Sequence, residues 1–182
     1  MLRKAAIAAL LVALIPAAAF AQVERRDGQI FKDVANAITN YSRFTVFDAV
    51  DTSVENGVVL LTGKVTMPFK RNEIAKRVAR VQGVRQVINH IGVLPVSPFD
   101  DDLRLQIARA IYGNPSFWQY NSMANPPIHI IVEGGRVTLT GVVNNNVERM
   151  LARSLANGYN SFGVTDDLKT DAEMRSALER IR

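Results

Sequence analysis

His90 and His129, the run Asp100-Asp101-Asp102 and the pair Asp166-Asp167 are the residues whose types could do acid–base or metal chemistry in this chain. A metal site would need the histidines to converge with carboxylates, and the spacing provides no such group. Each histidine lies in an alternating apolar stretch, one in each half of the chain, and reads as an ordinary strand residue. The triple aspartate lacks the alternating oxygen ligands and turn glycine of a calcium loop, so it reads as a helix cap. Asp166 and Asp167 are neighbours in a strand pattern, which sends their carboxylates to opposite faces and rules out an acid/base pair. Asp48 and Asp51 stand in or beside a strand with no partner identifiable from the sequence. Cys 0 removes thiolate metal sites, cysteine nucleophiles and a lipidated N-terminal cysteine. No phosphate loop, dinucleotide fingerprint or nucleophile elbow is present. The expectation is a protein that is not an enzyme and takes no cofactor or metal.

Two surface features remain. The first is Lys70-Arg71-Asn-Glu-Ile-Ala-Lys76-Arg77-Val-Ala-Arg80, in which helical spacing sets Lys76, Arg77 and Arg80 opposite Ile74, Val78 and Val81. This is either the solvated outer face of a sheet-covering helix or, with Lys70 and Arg71, an electrostatic contact. The second is the segment from Gly113 to Pro127, rich in turn formers and holding Phe117, Trp118 and Tyr120. Its aromatics either complete a core or form a contact surface for lipid or a partner.

Residues 1–21 have the layout of a cleaved secretory signal: Arg3 and Lys4, an apolar run from Ala5 to Ile15, and Ala19-Phe20-Ala21 before Gln22. The apolar run is far shorter than the ~20 residues that span a bilayer, and no later stretch qualifies. The expected location is outside the cytoplasm, with no transmembrane span in the mature chain. Of 22 Lys and Arg, Arg3 and Lys4 fall in this segment, leaving a mild excess over 17 Asp and Glu. That balance suits an anionic surface and falls short of a nucleic-acid binder. The 182 residues, 48% hydrophobic and 21% charged, have a globular composition, which excludes disorder and a disulfide scaffold.

The elements that must carry these residues come as a repeat. Val50-Asp-Thr52-Ser-Val54-Glu-Asn-Gly57-Val-Val59-Leu-Leu61-Thr-Gly63-Lys-Val65 matches Ile128-His-Ile130-Ile-Val132-Glu-Gly-Gly135-Arg-Val137-Thr-Leu139-Thr-Gly141-Val-Val143 at every second position. Alternation predicts strands, and Asn56-Gly57 and Gly134-Gly135 supply the positive φ of a hairpin turn. Gly63 and Gly141 mark a bulge or close backbone approach within the second strand. A helical period follows each hairpin (Ile74, Val78, Val81; Leu151, Ala152, Leu155), then a strand (Val87–Val93; Val164–Leu168). Another helix precedes each hairpin, with Ile30, Val34 and Ile38, or Leu103, Ile107 and Ile111, on its apolar face. Asp27 and the triple aspartate stand at the starts of these two helices, where caps and favourable dipole charges belong. Pro68 suits a first helical turn, and Asn144–Asn146 suit a cap.

The expected fold is α+β: two tandem α-β-β-α-β domains, 27–94 and 98–170, each a small mixed sheet covered by two helices. Leu94-Pro95-Val96-Ser97-Pro98 forms a stiff linker between them, and a C-terminal helix spans 171–182, with Met174, Ala177, Leu178 and Ile181 along one side. Domains this small bury modest cores, so the two should pack together or share that rigid linker.

The hairpin with Gly57, Val59, Leu61 and Gly63, the helix with Ala75 and Ala79, then Gly83-Val84 and Val87, Asn89 and Ile91, resemble the BON domain, and the second copy resembles it again. Thr52 stands where the family has an apolar residue, and Asn160-Ser161 replace Gly83-Val84 in the second copy. Tandem BON domains behind a signal resemble the osmotically induced periplasmic proteins of Gram-negative bacteria. The resemblance implies a non-enzymatic domain that associates with phospholipid at the envelope and protects it under stress. On that reading Lys70, Arg71, Lys76, Arg77, Arg80, Phe117, Trp118 and Tyr120 are the candidate contacts to an anionic phospholipid surface. The alternative is a scaffold that binds envelope proteins.

Overall fold

A computed structural model describes residues 26–179. The export segment expected over 1–21 lies outside the described residues, as does Ile181. The first domain runs α1 (Asp27–Thr39), β1 (Ala49–Glu55), β2 (Val58–Val65), α2 (Pro68–Val78), β3 (Gln86–Asn89) and β4 (Gly92–Val93). The second runs α3 (Pro98–Tyr112), a 3-10 turn (Pro115–Phe117), α4 (Trp118–Asn121), β5 (Ile128–Glu133), β6 (Arg136–Val143), α5 (Asn146–Asn157) and β7 (Gly163–Thr170), before α6 (Asp171–Glu179). This is the α+β tandem that the repeat predicts.

In each domain the hairpin strands pair antiparallel and the last strand joins the second hairpin strand in parallel. The turns match the glycine signal: Asn56 and Gly57 have φ of 50° and 75°, Gly134 and Gly135 of 57° and 73°. Two successive positive φ values match the twist of the flanking strands. Gly63 and Gly141 mark close approaches, since an added Cβ would lie 2.2 Å from the Ala49 oxygen or 1.8 Å from the Pro127 oxygen.

Ile30, Val34 and Ile38 of α1 and Ile74 and Val78 of α2 pack on Val59, Leu61 and Val65. In the second core Leu103, Ile107, Ile111, Ala152 and Ala156 cover Ile128, Ile130, Val132, Val137, Leu139 and Val143. Val50 and Val54 of the edge strand β1 pack against the same core and are half-buried. The single strand expected over Val87–Val93 is split. The Ile91 N–H donates to the Asn89 side chain at 3.1 Å, and the His90 N–H alone reaches the Leu61 carbonyl between β3 and β4. In the second domain Asp166 accepts the corresponding Leu168 N–H at 3.2 Å, but β7 stays continuous. Glu173 then takes the Thr170 N–H at 2.7 Å, so side chains of the protein itself occupy donors along this edge strand.

Helix starts correct one expectation. Ser97, not the triple aspartate, caps α3, accepting the Asp100 N–H, and Pro98 opens the helix. α1 has no side-chain cap at Arg26. Asp27 and Asp100 instead turn their carboxylates to the hairpins: Asp27 accepts from Asn56 and Gly57, Asp100 from Gly134 and Gly135, all within 2.9 Å. Pro68 and the Asn145 cap of α5 stand as read, the latter accepting from Val147 and Glu148.

The two domains are packed on each other, and the linker takes part. Leu94 joins Ala49 and Ile131 in a small apolar cluster between the sheets. The Ile130 N–H of β5 donates to the Val46 carbonyl at 2.7 Å. Phe44, in the connector from α1 to β1, enters the first core, while Phe47, three residues on, packs against the second. Asn125 reaches the Thr39 carbonyl, and Lys64 pairs with Glu133 at 3.1 Å. Met174 of α6 faces the crevice between the domains. Among the described residues no helix is long and apolar enough to cross a membrane.

Candidate functional site

Lys76 and Arg77 of α2 and Arg80 in the turn just beyond it are exposed, as expected, and so is Arg71 near the start of the helix. Lys76 is partly neutralised by Glu73 at 3.0 Å, and the Arg77 guanidinium lies 4.6 Å over the Tyr41 ring. Lys70 does not belong to this group. It lies four residues before Ile74 and eight before Val78, so the helical period turns it inward, and the structure buries it with them. Its Nζ sits 2.6 Å from Asp48, which also accepts from the N–H and hydroxyl of both Thr45 and Thr66. Asp48, for which the sequence offered no partner, thus receives five donors. Burial raises its pKa, but Lys70 and the two threonines outweigh that and hold the carboxyl below its usual value.

The second domain builds the same lock with other residues. Glu148 occupies the place of Lys70, on one stripe with Ala152 and Ala156. The Tyr120 hydroxyl donates to Glu148 at 2.6 Å, and both accept the Asn144 N–H at 3.1 Å, the counterpart of the Thr66 N–H in the first domain. Burial and then Glu148 push the Tyr120 phenol up to about 12. Tyr120 is therefore a buried structural residue. Phe117 is wholly buried and stacks on it, with centroids 5.9 Å apart. Of the three aromatics expected at a surface, only Trp118 is there, 72% exposed. The 3-10 turn and α4 explain the split, because Phe117 and Tyr120, three apart, face the core while Trp118 points away.

Met67 and Phe69 were not anticipated. They stand 50% and 42% exposed at the first turn of α2, and Arg43 lies 5.3 Å over the Phe69 ring. A signal was available for Phe69, which lies off the Lys70-Ile74-Val78 stripe, whereas Met67 is in register with that stripe and is exposed because it precedes the helix as its extended N-cap. In the second domain Met123, and Val147 and Met150 on either side of Glu148, are likewise exposed.

The histidines differ more than their positions in the sequence suggested. His90 is exposed, whereas His129 faces the first domain, 5.3 Å from the Phe44 ring. Asp166 is half-buried and pairs with Arg149 at 3.1 Å, while Asp167 faces solvent. Among the described residues no three His, Cys, Asp or Glu side chains are grouped to hold a metal ion.

No curated protein matches the chain in sequence. Among solved structures it is similar to a structural protein of the type III secretion system of Chlamydia trachomatis, with 15% identity over 83% of this chain and 97% of that one and a TM-score of 0.29. The C-terminal domain of that protein is similar at 14% identity over 75% of this chain and 96% of that one, TM-score 0.26. The BON domain family matches residues 26–95 and again 100–170, nearly all of the described structure, and the chain belongs to that family as a tandem BON-domain protein.

Proposed function

We propose that this chain is a non-catalytic cell-envelope protein, exported to the periplasm, that holds weakly to anionic phospholipid surfaces. The BON domain family is non-catalytic and occurs in envelope stress proteins. The observation that carries the reading is α2 and the turn that follows it, which combine four exposed cations, Arg71, Lys76, Arg77 and Arg80, with exposed Met67 and Phe69 at one end. A peripheral membrane contact needs that combination: cations attract the headgroups, and apolar side chains enter the boundary beneath them. Each cation near an anionic surface contributes ~1 kcal/mol, so four alone give a dissociation constant only in the millimolar range. Insertion of Met67, Phe69 and the separate Trp118 supplies the rest. Flotation with phosphatidylglycerol and phosphatidylcholine vesicles tests this. Binding should rise with phosphatidylglycerol and fall with salt, and charge reversal at Lys76, Arg77 and Arg80 should remove both dependences. Equal flotation of the wild type and that variant would defeat the proposal.

A second reading, a scaffold for another envelope protein, is favoured by a different feature. Phe162, 73% exposed, stacks on Phe99 across the second hairpin turn, where the first domain has Arg85 and Arg26. Salt-insensitive capture of one protein, lost in Phe162→Ser, would support it.

A further inference from the structure

The crevice between the two domains holds a titratable group that the lipid reading does not use. His129 projects from β5 against the first domain, and its ring meets Phe44 at 5.3 Å. The carbonyls of Thr45 and Asp48 face the same ring, so the connector that carries Phe44, Val46 and Phe47 covers one side of the half-buried residue. Its Nδ1 is shut off from solvent and has no hydrogen-bond partner among the described residues. Beside it lies a cavity of about 380 Å³ bordered by Ile38, Ala49, Thr52, Thr140 and Met174. A neutral imidazole tolerates this setting, because a bare Nδ1 is only a missing acceptor contact. A protonated one tolerates it less, because its charge is taken out of water against the Phe44 ring and burial outweighs what the Thr45 and Asp48 carbonyls return.

We propose that His129 is a proton-sensitive latch between the two BON domains: neutral, it lets the first domain's connector dock on β5, and protonated, it loosens that docking and uncovers the apolar set Phe44, Phe47, Ala49, Leu94 and Ile131.

The charged groups around the ring set the direction. Burial pulls the imidazole below its usual value, while the two carbonyls and the carboxylates of Asp48 and Asp51 oppose this without overturning it. Asp48 is already engaged by Lys70, Thr45 and Thr66, and it stays ionised throughout the range in which a histidine titrates. Undocking returns the imidazole to water and its ordinary value of 6.5. The docked form therefore binds fewer protons. Docking is strongest above pH 6.5 and weakens as pH falls from there toward the depressed value.

The chain has no cysteine, so spin labels can be placed cleanly at Asn72→Cys on α2 and Ser154→Cys on α5, both exposed. Electron–electron distance distributions at pH 7.5 and pH 5 are the readout, with the imidazole signals of His129 and exposed His90 followed by NMR. The expected result is a narrow distribution at pH 7.5 that broadens at pH 5, and a midpoint for His129 below the ordinary histidine value of 6.5. In His129→Phe, and in His129→Gln should the first variant pack poorly, the distribution should stay narrow at both values. An unchanged wild-type distribution, or equal broadening in wild type and both variants, overturns the proposal.

Discussion

The Gly135 N–H donates to the Asp100 carboxylate at 2.7 Å across 35 residues, tying the first turn of α3 to the tip of its hairpin. Asp27 and Gly57 repeat the bond at 2.9 Å in the other domain. Each turn points two N–H groups at one carboxylate, and that carboxylate sits where a helix dipole also favours negative charge. Asp100 is buried and Asp27 half-buried. Asp100→Ala should cost about 1–3 kcal/mol by leaving two donors unpaired, and Asp27→Ala should cost less because water can replace the carboxylate. Urea unfolding of each variant checks the order.

Lys70 and Asp48 form the most buried ion pair in the described structure, and breaking it should hurt more than any loss of surface charge. Lys70→Ala should destabilise by roughly 3–5 kcal/mol because Asp48 is left charged and buried. Lys76→Ala should change stability by no more than about 0.5 kcal/mol. Thermal unfolding of both separates a structural lysine from a surface one within a single helix.

The same pair sets an acid limit on stability. Asp48 has its pKa depressed in the native state, so its contribution is fully present above the ordinary value of 3.8 and is lost as pH falls through the native value. In Asp48→Asn the loss of stability below pH ~4 should be shallower than in the wild type. Unfolding midpoints between pH 5 and pH 2 measure it.

Gly141 tolerates no side chain. A Cβ there would lie 1.8 Å from the Pro127 carbonyl oxygen at a φ of 117°, so Gly141→Ala should cost at least about 1–3 kcal/mol, enough to lower the yield of folded protein. Gly28, with nothing within 4 Å, is the control, and Gly28→Ala should be neutral or slightly stabilising in the same expression and melting assay.

Trp118 and Leu139 test surface against core within one domain. Leu139 is wholly buried, and Leu139→Ala should cost about 2–5 kcal/mol. Trp118→Ala should leave the melting temperature nearly unchanged and lower vesicle binding at every salt concentration. Normal flotation of a folded Trp118→Ala protein would move the apolar contact to Met67 and Phe69 alone.

Short-range patterns in the amino-acid sequence were enough to determine the hairpins, the helices and the duplication. Alternating apolar residues, Asn56-Gly57, Gly134-Gly135, Pro68 and Asn145 each act through neighbours a few positions away, so their effect is written locally. The inward face of α2 was also legible, since Lys70 shares the stripe of Ile74 and Val78, but a lysine reads as exposed unless its partner is known. That partner, Asp48, arrives from another element, and no spacing rule brings the two together. Phe117, Trp118 and Tyr120 likewise carry one signal in sequence and two fates in the fold. Phe117 and Tyr120 face Ile111 and Glu148 inside the second domain, while Trp118, between them, faces water. His129 looked like any strand histidine because its setting is built by Phe44 and the connector of the other domain. Burial, pairing and docking depend on which surfaces meet across long stretches of chain, and only the tertiary structure decides that.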